Sequence, residues 1–284
     1  MELRAKLATV LEAWELELLP RSYDIVGDIA VIRIPEAIEH RTEAIAEAIM
    51  ETNKHVKTVL RQVSPVLGEL RLRSLRWIAG EKRTETVHKE HGCLFRVNLE
   101  CCYFSPRLSH ERKRIAGQVG LDEVVINMFS GVGCYSIVIA KHSGAKKVFS
   151  IDLNPAAVEY QRENVRLNRV EGIVKPMVGD AAEIIRESLL DVADRVLMPL
   201  PEKAYEYLDY AALALRPGDC WIHYYDFVHG GRDEKPVEKL KDKVSEKMAD
   251  LGLGFEVTFA RIVRTVGPRW FQVVLDLLVH KKSL

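Results

Sequence analysis

At 284 residues, with 48% hydrophobic and 29% charged residues, the chain has the material and the balance of a soluble globular protein of one large or two modest domains. No run approaches the roughly 18 apolar residues of a membrane span, and residues 1–6 open with charge rather than a signal peptide, so a soluble cytoplasmic protein is expected. Formal net charge is zero, which announces no polyanion, and five cysteines without a Cys-x-x-Cys pair argue against a disulfide framework or a zinc site.

Residues 3–19 carry Leu3, Leu7, Val10, Leu11, Trp14 and Leu18 at helical spacing, which predicts one amphipathic helix ending at Pro20. Residues 23–34 read as a turn and strand, with Ile25, Ile29, Val31 and Ile32 flanking the turn signal Gly27-Asp28, residues 38–50 as a second helix, and residues 56–63 as another strand closed by Ser64-Pro65. Alternation over 69–81 and again over 88–103 predicts an antiparallel ribbon. On that reading Arg71 and Arg73 share one strand face, and Cys101-Cys102 are two small buried thiols in a strand. Residues 57–89 also concentrate cations, among them Lys57, Arg61, Arg71, Arg73, Arg76, Lys82, Arg83 and Lys89. Residues 1–103 thus read as an α+β module without a nucleotide turn.

Pro106 ends the ribbon, Ser109 is a fair N-cap, and a helix over 110–119 delivers Arg107 and Glu111 just ahead of the next strand. That strand, 124–128, stops at Phe129-Ser130-Gly131-Val132-Gly133, where two glycines allow a tight turn and close approach of a ligand to backbone. A helix from 136 to 141 and a strand over 148–151 follow, and the strand ends on Asp152, a partner for the two hydroxyls of a ribose. Helices over 156–167, 181–187, 203–215 and 237–251 then alternate with strands over 174–178, 195–198 and 220–225, and strands near 255–264 and 270–279 close the sheet. Residues 229–236 read as a mobile loop. Residues 104–284 therefore form an α/β domain with a Rossmann-like seven-stranded sheet.

The turn lacks the third glycine of a dinucleotide fingerprint, because Ser136 stands there, and no Lys-Ser/Thr follows to make a phosphate loop. It resembles motif I of the class I S-adenosylmethionine (AdoMet) transferases, with Asn127 where an acid often stands. That likeness implies AdoMet over Phe129, Ser130, Gly131 and Gly133, with Asp180 at the next strand end toward the adenine amine. An N-cap role for Asp180 is compatible with this. Pro199 belongs to a stiff loop, Pro199-Leu200-Pro201, that walls the reacting base.

Ile78-Ala79-Gly80-Glu81, Tyr103-Phe104-Ser105-Pro106-Arg107-Leu108, Glu111-Arg112, the glycine turn and Asp152-Leu153-Asn154-Pro155 recur in order at one family's spacing. On these marks the chain resembles the tRNA guanosine-37 N1-methyltransferases of archaea and eukaryotes, and their sister family, the aminocarboxypropyl transferases of wybutosine synthesis. The resemblance implies that Tyr103, Phe104, Arg107, Leu153 and Asn154 join the AdoMet site, and that tRNA binds through its anticodon stem-loop. Glu111 would be the general base for guanine N1, if burial raises its pKa toward neutrality, and Arg71 would stabilise charge on O6, with Arg107 beside the reaction. The basic segment 57–89 would hold RNA phosphates, and Trp77, Tyr103 and Phe104 would stack on loop bases. Family methyltransferases carry an asparagine-containing triplet where this chain has Pro199-Leu200-Pro201, so transfer of the aminocarboxypropyl arm, or of methyl to a ring carbon of a wyosine precursor, stays open.

Overall fold

The computed structural model describes residues 2–231 and 234–282, the side chain of Glu2 excepted, and falls into two compact units, Met1–His110 and Glu111–Leu284. In the first, the stretch expected as one helix is two, α1 (Glu2–Leu7) and α2 (Ala13–Leu18). The break has a local cause. Glu12 and Glu15 form a reciprocal capping box, which starts a new helix where the apolar spacing alone would carry the old one on. β1 (Asp24–Val26) and β2 (Ile29–Ile32) turn at Gly27-Asp28, as the turn signal predicts. Helix α3 (Thr42–Thr52) buries Ile45, Ala46, Ala48 and Ile49, and β3 (Thr58–Gln62) and β4 (Leu75–Gly80) complete a sheet in the order β1-β2-β3-β4.

The predicted ribbon is corrected by this pairing. β4 pairs with β3, and the ribbon is β5 (Glu85–Glu90) with β6 (Cys93–Asn98). Its two-residue turn, His91-Gly92, has positive φ at both positions, 48° and 74°, the backbone that lets a short hairpin follow the strand twist. Arg71 lies in a turn at φ 53°, next to the Leu67–Leu72 bridge, so Arg71 and Arg73 do not share a strand face. Cys101 and Cys102 follow β6 in a turn rather than within a strand, with sulfurs 3.7 Å apart and no disulfide between them.

The second unit begins within α4 (Ser109–Ala116) and continues β7 (Val124–Asn127), α5 (Cys134–His142), β8 (Lys147–Asp152), α6 (Pro155–Leu167), β9 (Val174–Val178), α7 (Ala181–Ser188), β10 (Arg195–Met198) and α8 (Pro201–Ala214). β11 (Gly218–His229), α9 (Pro236–Asp250), β12 (Gly254–Gly267) and β13 (Trp270–Lys281) finish it, and part of the expected 229–236 loop, residues 232–233, lies outside the described residues. The seven strands stand in the order β9-β8-β7-β10-β11-β13-β12, with β13 antiparallel to both neighbours. β10 is buried at every position and β7 at all but its first, the near-continuous burial of central parallel strands covered on both faces. The strand order reverses between β7 and β10, the switch point outside which open α/β sheets bind ligands. Among the described residues no helix is long and apolar enough to cross a membrane.

Candidate cofactor and catalytic site

From the end of β7 the chain turns through residues 129–133 into α5, with Gly131 at φ 56° and Gly133 at φ 89°. Both lie in the left-handed region that glycine enters most readily, and a Cβ on Gly133 would stand 2.8 Å from Gln161 Cγ. The turn is tied down from both sides. Ser130 N–H donates to Ile151 O at 2.8 Å and Gly131 N–H to Asp152 Oδ2 at 2.6 Å. From α6, Gln161 Nε2 donates to Ser130 Oγ (2.5 Å) and Gly131 O (3.2 Å), and Asn164 Nδ2 to Val132 O (3.1 Å).

Gln161 and Asn164 brace the candidate turn, and sequence reasoning missed them. They stand three apart on the buried face of α6, beside Val158 and Val165 where apolar residues are expected, and that misplaced polarity was the available signal. Asp152 Oδ1 accepts from Asn154 N–H at 2.9 Å, so each carboxylate oxygen holds one backbone N–H and keeps a second acceptor site, a pair suited to the two hydroxyls of a ribose. Burial pushes the Asp152 pKa up, and the two backbone donors offset this in part. Asn154 caps α6 through Ala156 N–H at 3.0 Å, while Leu153 between the two polar residues is exposed.

Asp180 is the N-cap of α7, accepting from Ala182 N–H (2.8 Å) and Glu183 N–H (3.3 Å), and its other oxygen accepts from Tyr207 OH. The Tyr207 ring meets Phe129 edge-on at 5.2 Å, which joins Phe129 and Asp180. Pro199 precedes Leu200, the N-cap of α8, and Pro201 is its first residue, a position that tolerates a missing N–H. Asn127 is fully buried. Its amide donates to Ser136 Oγ at 3.1 Å, Ser136 meets Ser150 Oγ at 2.5 Å, and Asn127 Oδ1 has no partner among the described residues.

Glu111 is 1% exposed and ion-paired. Its Oε1 accepts from Tyr225 OH (2.7 Å) and from Arg114 (Nη2 2.6 Å, Nε 3.0 Å), and its Oε2 from Arg114 Nε (3.1 Å) and Arg261. Burial pushes its pKa up, but the Arg114 hydrogen bond and charge, with Tyr225 and Arg261, outweigh this and hold the carboxyl below its ordinary range. The expected rise toward neutrality is therefore corrected: two guanidiniums win over desolvation, and Glu111 is a carboxylate.

In the first unit the Arg71 guanidinium lies 4.3 Å over the Tyr103 ring, bringing two expected residues together. Phe104 is buried edge-on against His88 at 5.1 Å, so it is packed in the module and not open for base stacking. Arg107 is exposed, with Nε on Asp24 Oδ1 at 2.6 Å. The cations of 57–89 are partly spent inside the module. Arg61 is 6% exposed, bound to Glu39 and to Ile34 O at 3.0 Å, and Arg83 forms a two-pronged pair with Asp28. Arg76, Lys82 and Lys89 stay exposed.

Two family domains match, the TRM5/TYW2 methyltransferase domain over residues 86–251 and the TYW2 N-terminal domain over residues 3–84. The tRNA (guanine(37)-N(1))-methyltransferase Trm5b of Pyrococcus abyssi is 40% identical over 261 residues, which cover 92% of this chain and 76% of the relative. The tRNA 4-demethylwyosine(37)-methyltransferase Taw21 of Saccharolobus solfataricus is 40% identical over 256 residues, covering 89% and 92%. A solved complex of aTrm5 with tRNALeu superposes with a TM-score of 0.83 at 35% identity, over 98% of this chain and 78% of that one.

Proposed function

The chain belongs to the TRM5/TYW2 methyltransferase family, and from that premise we propose that it transfers the methyl group of AdoMet to N1 of guanosine 37 in cytoplasmic tRNA. The observation that carries this reading is the buried, ionised Glu111, because N1 holds a proton that must leave as the methyl arrives. The residues present fit AdoMet: a left-handed glycine turn open to close approach, and an acid with acceptor sites left for a ribose. When bound, AdoMet supplies a methyl group on a sulfonium. Asp152 orients the ribose, and the turn over Gly131 and Gly133, seated against Gln161 where a Gly133 side chain would clash, holds the backbone beside it. Glu111 takes the N1 proton, whose acidity rises as the new nitrogen–carbon bond forms, so even a carboxylate of lowered pKa serves. Arg71 is assigned the charge left on O6, and exposed cations of 57–89 the RNA phosphates.

A second reading has its own support. The chain spans 92% of Taw21 against 76% of Trm5b, and its residues 3–84 match the TYW2 N-terminal domain. On that reading the acceptor is a ring carbon of 4-demethylwyosine at the same position. The deciding experiment incubates tRNA carrying either guanosine 37 or 4-demethylwyosine with AdoMet labelled in the methyl or the aminocarboxypropyl group, and identifies the product nucleoside by mass. Labelled 1-methylguanosine supports the proposal. A methyl adduct confined to 4-demethylwyosine, or any aminocarboxypropyl adduct, overturns it.

A further inference from the structure

The two arginines on Glu111 differ in how they are held. Arg114, on the same helix, has a side chain 14% exposed and shares its guanidinium between Glu111 and Asp276, at 2.5 Å (Nη1–Oδ2) and 3.1 Å (Nη2–Oδ1). It also stacks 4.6 Å over the Phe259 ring. Asp276 accepts from Gln118 Nε2 (3.0 Å) and from His223 Nδ1–H (2.7 Å), and His223 Nε2 accepts from Arg195 (2.7 Å), which is paired with Glu123 (2.7 Å). A carboxylate on one side and a guanidinium on the other require that tautomer. Arg114 cannot move without breaking this buried chain.

Arg261 has no such brace. It comes from the edge strand β12, its side chain is 32% exposed, and among the described residues its one polar partner is Glu111 Oε2. Its Nε is buried without a partner, a cost a fully satisfied resting place would avoid. β12 shifts register on both sides of it, between Val257 and Phe259 and between Ile262 and Arg264, and such bulges re-aim side chains. The oxygens of Glu111 are also unlike. Oε1 takes three donors from Arg114 and Tyr225, whereas Oε2 has only a 3.1 Å bond from Arg114 once Arg261 is set aside.

Resting on the reading of Glu111 as the base, we propose that Arg261 is a displaceable counter-ion: it holds Oε2 in the free protein and yields that oxygen to the N–H of the bound substrate, while Arg114 stays. The groups facing Glu111 are Arg114 on its own helix, Tyr225 on β11, Tyr135 on α5 and Arg261 on β12, with Asp276 on β13 acting through Arg114. Of the two cations only Arg261 can leave, so the free and RNA-bound proteins differ in the proton affinity of Glu111. Arg261 is a positioning residue that tunes the base, keeping it ionised until a substrate arrives.

The test compares two acid limbs in the full chain, for wild type, Arg261→Gln and Arg261→Lys. The single-turnover rate divided by the half-saturating tRNA concentration reports the free protein, and the rate at saturating tRNA reports the complex. Arg261→Gln should move the first limb up by roughly one to three pH units and leave the second in place, and Arg261→Lys should restore the first. If both limbs move, Arg261 remains on Glu111 in the complex and the proposal fails; if neither moves, it fails too. A carbon-13 titration of the Glu111 carboxyl, identified by its loss in Glu111→Gln, reads the same difference whatever group is transferred. Wild type and Arg261→Gln should differ when free and converge when an anticodon stem-loop RNA is bound. Absence of 1-methylguanosine would count against the N1 reading, whereas failure to converge counts against Arg261. Should Arg261→Gln lose AdoMet binding, Arg261→Met takes its place in both arms.

Discussion

Asp152 carries two burdens in one side chain, closing the glycine turn through Gly131 N–H and offering acceptors to a ligand. Asp152→Ala should weaken AdoMet binding by about 1.5–3 kcal/mol, the worth of hydrogen bonds to a charged group. Calorimetry that finds wild-type affinity in that variant removes Asp152 from the site. Glu111→Gln keeps shape and removes basicity, so single-turnover methylation should slow by about 10²–10⁴-fold with AdoMet and tRNA affinities held. A wild-type rate would end the general-base reading. Asp152 was legible in the chain because an acid at a strand end after a glycine turn is a local pattern. The state of Glu111 was not, since Arg261 and Asp276 stand 150 and 162 residues away from the α4 residues they meet. No window of sequence shows that a buried acid faces two guanidiniums.

Among elements, α6 does more than cover the sheet. Gln161→Leu leaves the Gly131 carbonyl and the Ser130 hydroxyl without their side-chain donor, so AdoMet affinity should fall by roughly 1–3 kcal/mol. Asp152 is untouched in that variant, and equal affinity by calorimetry would show that the turn holds without α6. The basic segment divides in the same way between structure and surface. Arg76→Glu, Lys82→Glu and Lys89→Glu should lower tRNA affinity and reduce its salt dependence by about one slope unit for each phosphate left without its cation. Arg61→Glu should instead lower the melting temperature, because it sets an acid against Glu39 in a buried place. If Arg61→Glu melts normally and binds tRNA weakly, this division is mistaken. Strand, turn and helix order from 124 to 215 was legible because central strands and amphipathic helices have distinct periods. The ribbon partner was not, since 69–81 alternates as well as 85–90 does, and only the short His91-Gly92 turn decides between them.

Across the whole molecule, Glu111, Arg114, Asp276, His223, Arg195 and Glu123 form one hydrogen-bonded run through the second unit. Burial works against the Asp276 carboxylate, but His223 and Arg114 hold its pKa well below the usual range, and burial holds His223 neutral. Both signs agree. The unfolded chain binds a proton on His223 below about pH 6.5 and on Asp276 below about pH 3.9 that the folded protein does not, so stability should fall as pH drops through each value. Thermal melts from pH 8 to pH 3 check this, and a flat profile contradicts it. Asp276→Asn, which leaves Arg114 half-paired, should cost about 3–5 kcal/mol. The span of this run also bears on how the protein is made. Arg114 and Asp276 are 162 residues apart, and at about 5–20 residues per second a ribosome needs roughly ten to thirty seconds between them. Over that interval the glycine turn, α6 and Asp152 emerge while Arg114 still lacks its carboxylate. On the site proposed above, the cofactor turn is therefore synthesised before Glu111 gains its braced Arg114, and the proposed base waits on strand β13.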